Sequence, residues 1–158
     1  MKKRALPAGA PVRYDRAVSL VKGAVAGLVG TAAMTAAQAA EMRLTHRSAS
    51  TVPGRVASKL LGLHPEGEEE LARVSLAMHW AHGMTQGVVR SLVGRTGLAR
   101  SPAAAAHFAL MWSSDALLYK SLGISPWPWE WSADELALDV GHKAFYAFAT
   151  SAAYDHLN

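Results

Sequence analysis

Hydrophobic and polar positions divide this chain into four long segments of helical period, joined by short breaks rich in Gly, Pro and Trp. The first is the least polar. From Gly23 to Ala40 it carries no charge, and small residues recur every four positions. With Asp15 as a plausible N-cap, the pattern predicts a helix running to about Arg43. At about 1.5 Å per residue such a helix is longer than the roughly 30 Å hydrocarbon core of a bilayer. Residues 44–70 are interrupted by Pro53, Gly54, Gly62, Pro65 and Gly67. Within them Val56, Leu60, Leu61 and Leu63 form a short apolar stripe beside Arg55 and Lys59, as in an interfacial helix.

A second long helix is expected from about Glu69 to Val93, ended by Gly94 and Gly97. Ser101 followed by Pro102 reads as a cap and first helical residue for a third helix, which reaches Leu122 and stops at Gly123. The segment Ile124–Trp131 places Trp127, Trp129 and Trp131 around Pro128, a composition favoured at a membrane–water boundary. Ser132 and Glu135 form a capping box for the last helix, 133 to about 156. The expected architecture is all-α: an antiparallel, transmembrane bundle of four long helices with a short interfacial helix between the first and second. Residues 1–14, with Pro7 and Pro11 among basic residues, are expected to be disordered, leaving 15–158 as one helical membrane domain.

The polar residues within the helices make narrow stripes. His79, His82, Gln86 and Arg90 share one face of the second helix; His107, Ser114 and Asp115 share a face of the third. Asp139, His142 and Tyr146 do so on the fourth, and Thr31, Thr35 and Gln38, with Glu41 nearby, on the first. A soluble bundle needs a wide Glu/Lys-rich outer face, whereas narrow stripes of this kind suit a polar interior and a lipid-facing exterior. Charged residues make up 18% of the chain, below the roughly 25% of soluble domains. A mean hydropathy of only +0.09 pulls the other way. Small-residue pairs, Gly23/Gly27 and Ala26/Gly30 on the first helix and Gly83/Gly87 on the second, allow the close backbone approach on which packing in lipid depends.

Charge adds an orientation. With the N-terminus inside, residues 1–22 and 90–102 carry nine Lys and Arg against six on the opposite side, which favours cytoplasmic N- and C-termini. Basic residues near the N-terminus suit anionic lipid better than nucleic acid, since no binding fold or aromatic interleaving accompanies them. The alternative of a signal peptide cleaved after Ala39 fits the basic start and the Ala37-Gln38-Ala39 box, but the apolar run exceeds the usual length of such a segment. The chain has no cysteine, hence no disulfide or thiolate chemistry.

Gly23–Gln38 followed by acidic Glu41, together with Leu122–Trp129, Glu135, Asp139 and Gly141-His142, resembles the small bacterial inner-membrane proteins typified by YagU. The resemblance implies an inner-membrane protein of about four helices, loosely linked to acid tolerance and without an established activity. No nucleophile elbow, phosphate loop or dinucleotide fingerprint is present, which weighs against an enzyme. The expected role is that of a structural or accessory membrane protein with a polar His/Asp interior. The lipid bilayer is its partner, with a homo-oligomer or larger membrane complex as an extension.

Two alternatives use the same polar residues. His79, His82, His107, Asp115, Asp139, His142 and Glu41 would serve a proton-responsive or proton-conducting cluster. A subset would serve a divalent metal or haem, as paired i, i+3 ligands do in other bundles, although no cofactor is predicted outright. Asp115 in mid-helix requires Arg90, Lys143 or a histidine as partner.

Overall fold

In the computed structural model, which describes residues 11–158, the chain is all-helical. Five α-helices follow in order: α1 (Pro11–Thr45), α2 (Val52–Leu61), α3 (Glu68–Gly94), α4 (Arg100–Ser121) and α5 (Ala133–Leu157). A single 3-10 turn, Pro128–Glu130, lies in the connection before α5. The expected basic N-terminus falls mostly in residues 1–10, outside the described part. Pro11–Tyr14, expected to be disordered, are already helical, so Asp15 lies inside α1 and does not cap it. Proline is tolerated in a first helical turn because its missing N–H has no intrahelical partner there.

The four long helices form a ring in which α1 lies against α3 and α5, and α4 against α5 and α3, while α2 packs on α3. The α1–α3 seam runs antiparallel and is built from backbone. A Cβ at Gly27 would overlap the carbonyl oxygen of Gly83 and sit 2.9 Å from the Gly87 Cα. A Cβ at Gly87 would in turn overlap the Gly23 carbonyl. The small-residue face of α1 is shared between two neighbours: Gly23 and Gly27 meet α3, whereas Gly30 meets Thr150 of α5.

Local signals account for the end of α4 and the start of α5. Gly123, with φ of +63°, closes α4 in the left-handed conformation glycine adopts without strain. The Ser132 Oγ accepts from the Glu135 N–H at 3.2 Å and the Glu135 carboxylate accepts from the Ser132 N–H at 2.9 Å, completing the expected capping box. The Ser132 N–H first, and then the Ser132 hydroxyl, which donates to the same carboxylate at 2.8 Å, hold the Glu135 carboxyl below the usual carboxylate range. Ser132→Ala is expected to cost about 1 kcal/mol in a thermal melt. Because a depressed carboxyl pKa stabilises above the unfolded value, that difference should shrink as pH falls through the folded one.

At α4 the expected cap is displaced. The helix begins at Arg100, its N-cap is Ala99 with no side-chain bond, and Ser101 stands inside the first turn. The α2 helix is fixed through Gly54, whose N–H donates to Ser75 Oγ at 2.9 Å; the same hydroxyl donates to the Thr51 carbonyl at 3.3 Å.

Candidate polar site in the bundle interior

The largest fully buried side chains are Arg90, Tyr146, His107, Thr31, Thr150 and Ser91. Beside them lies a small apolar cluster in which Tyr146 packs with Met111 and Ala147, flanked by Met34 and Phe108. The stripes read from the sequence thus turn inward for Thr31, Gln86, Arg90, His107 and Asp115. Ser114 does not follow; it is exposed and bonds back to the Met111 carbonyl at 2.9 Å. One residue of helical rotation separates it from Asp115, enough to carry it off the inner face.

Three ionic groups lie along the bundle. At one end Arg90, 2% exposed, donates from Nε to Ser151 Oγ at 2.9 Å and from Nη2 to Asp155 at 2.8 Å. Its guanidinium lies over the Tyr154 ring, 4.9 Å from the centroid, and the Tyr154 hydroxyl is bonded to Ser19 of α1 at 3.0 Å. Arg100 approaches the second Asp155 oxygen at 3.8 Å. At the opposite end Arg47 pairs with Glu41 at 2.7 Å, and His142 comes within 4.0 Å of the same carboxylate.

The middle group joins three helices. Lys143 on α5 sits 3.2 Å from Asp115 on α4 and 3.0 Å from Asp139 one turn earlier. His82 on α3 places Nε2 3.3 Å from the other Asp115 oxygen. The Trp112 indole donates to Asp139 at 2.9 Å, and the Tyr119 ring lies 4.9 Å from the Lys143 nitrogen. Of the partners expected for Asp115, Lys143 and His82 are found, whereas Arg90 is taken by Asp155.

The remaining candidates are dispersed. His79 is bonded to Thr35 of α1 at 3.0 Å. His107, wholly buried, faces Tyr146 with ring centroids 6.0 Å apart, and neither of its nitrogens has a hydrogen-bond partner. Gln86 Oε1 and Arg90 Nη1 are likewise without partners. Buried polar atoms of this kind are normally served by internal water. Among the described residues no three His, Asp or Glu side chains are disposed to hold a metal ion. In the middle group the Lys143 ammonium occupies the space between the two carboxylates.

Asp155, Lys143 and Tyr146 carry more of the interior than the pattern of the sequence indicates. Tyr146 donates to the Gly83 carbonyl at 2.5 Å, tying α5 to the glycine seam of α3. Four-residue spacing along α5, Asp139, Lys143, Ala147, Ser151 and Asp155, is the signal that marks this face. Comparison of the chain with protein-family models, curated proteins and solved structures finds no match.

Proposed function

We propose that this protein is an integral membrane bundle whose four long helices cross the bilayer, and that it serves as a structural or accessory membrane component. The observation that carries this reading is an inversion of polarity. Over residues 23–40, 74–90, 103–119 and 138–153 no exposed side chain is Asp, Glu, Lys or Arg. The outward positions there are Ala, Gly, Val, Leu, Met and Phe, joined by Thr85, Ser113 and Ser114. A water-soluble bundle has the opposite distribution.

Among the described residues only α1 is long and apolar enough to count as a span by composition. In α3, α4 and α5 the average is lowered by Arg90, Asp115, Asp139 and Lys143, all held against partners on neighbouring helices. Ionisable residues within membrane helices face the bundle interior and pair there in the same way. The stacked Trp127 and Trp129 rings, 5.0 Å apart beside Lys120, with Trp127 half-buried and Trp129 exposed, suit a headgroup boundary. The balance of basic residues and the resemblance to YagU-like proteins favour the bacterial inner membrane with both termini cytoplasmic.

Membranes washed with alkaline carbonate should retain the protein in the pellet; release into the supernatant would overturn the reading. A proton-responsive role is the second reading, and the buried Asp115–Lys143–Asp139–His82 group favours it. A metal or haem role lacks a converging ligand set among the described residues.

A further inference from the structure

Counting charge separates the three ionic groups. Arg47 balances Glu41, and Arg90 balances Asp155, with Arg100 as a further cation at the exposed rim. The middle group is different. Asp115 and Asp139 bring two negative charges and Lys143 one positive. The other groups touching it, the Trp112 indole and the Tyr119 ring, are neutral. With a neutral His82 the group therefore keeps one uncompensated negative charge, between helices whose outer surfaces are apolar.

We propose that this group is an intramembrane proton-binding site, in which one proton is held on the His82 imidazole against Asp115. The proposal rests on the bundle lying in a bilayer, where an isolated charge is strongly disfavoured. Protonating His82 adds the missing positive charge and converts the 3.3 Å contact into an imidazolium–carboxylate pair. Its balance is simple: one proton enters, the imidazole nitrogen becomes N–H, and no other bond changes.

The side chains of Asp115 and Lys143 are closed off, at 3% and 13% exposure, whereas those of His82 and Asp139 are 33% and 25% exposed. The His82 Nε2 that faces Asp115 is itself buried, so the ring reaches solvent by its other edge while the proton is held inside. The groups facing His82 are Asp115 from α4 and, behind it, Lys143 and Asp139 from α5. His79 on its own helix is occupied by the Thr35 hydroxyl of α1, and α1 has no Asp, Glu, Lys or Arg from residue 23 to residue 40.

The test is nitrogen NMR of the full chain, labelled at histidine, in phosphatidylcholine nanodiscs at pH 7.5. Signals missing from a His82→Gln sample identify His82. In the wild type they should be those of an imidazolium. In Asp139→Asn, which keeps an acceptor for Trp112 and leaves one carboxylate facing one ammonium, they should be those of a neutral ring. Asp115→Asn gives the same charge count and substitutes for it should Asp139→Asn lose its helical circular dichroism.

A neutral His82 in the wild type, or an imidazolium persisting in the folded Asn variant, overturns the proposal. So does a neutral His82 in a protein whose thermal stability falls when sodium and potassium are exchanged for choline, since a metal cation would then supply the charge. Elution with the nanodisc lipid reports on the membrane reading separately. A chain that stays monodisperse in buffer without lipid or detergent overturns both readings, whereas a lipid-borne chain with neutral His82 overturns only the proton site.

Discussion

Gly27→Leu is expected to prevent α1 from docking on α3. The substituted side chain would enter the Gly83 carbonyl and the Gly87 backbone, and neither can move aside as a flexible side chain would. Overpacking of a close-packed contact commonly costs about 1–3 kcal/mol, and a clash with backbone belongs at or above the upper end. Thermal melts in mild detergent and crosslinking between cysteines introduced on α1 and α3 should both report loss of assembly. Val29→Leu, at an outward position of the same helix, should leave both readouts unchanged. Equal behaviour of the two variants would remove the packing role assigned to Gly23, Gly27, Gly83 and Gly87.

The second large effect is expected at the other end of the interior. Asp155→Asn removes the counter-charge of a guanidinium that is 2% exposed. Leaving one member of a buried pair uncompensated costs about 3–5 kcal/mol, and the partial exposure of Asp155 puts this case near 3. The informative comparison is the double variant Arg90→Met/Asp155→Leu. Replacing both charges with apolar groups of similar size should recover most of the stability in the same detergent melt. A double variant no more stable than Asp155→Asn would mean that Arg90 contributes chiefly through Ser151 and the Tyr154 ring.

Helix positions were largely legible because they rest on local chemistry. Gly123 and the Ser132/Glu135 box act within one turn of the chain and need no information about neighbours, whereas Gly94 is still the last residue of α3 and the left-handed glycine beyond it is Gly97. Ser101 misled for the converse reason: a serine before proline is a strong local signal, yet α4 begins one residue earlier, with Ser101 and Pro102 both accommodated in its first turn. The inward stripes were legible as faces, because the helical period fixes which residues share a side. The pairing between faces was not. His142 and Asp139 read as one stripe on α5, but His142 turns to Glu41 at the α1 side while Asp139 turns to Lys143 and Trp112. Such a division depends on the angle at which α1 and α4 meet α5, which no single helix encodes. Arg90 and Asp155 are 65 residues apart, and nothing local to either announces the other.

The placement of α5 between α1 and α4 has a consequence for biosynthesis. α5 follows the other helices along the chain and packs against α1, so the ring cannot close until α5 has been synthesised. Before that moment α4 presents Asp115 without Lys143, and α3 presents Arg90 without Asp155. A nascent chain that has delivered only α1 to α4 thus carries the Arg90 guanidinium without its counter-ion, and Asp115 with His82 as the neighbour that remains. Truncation just before Ala133 should yield a product that is degraded in the cell, whereas co-expressed α5 supplied as a separate peptide should protect it.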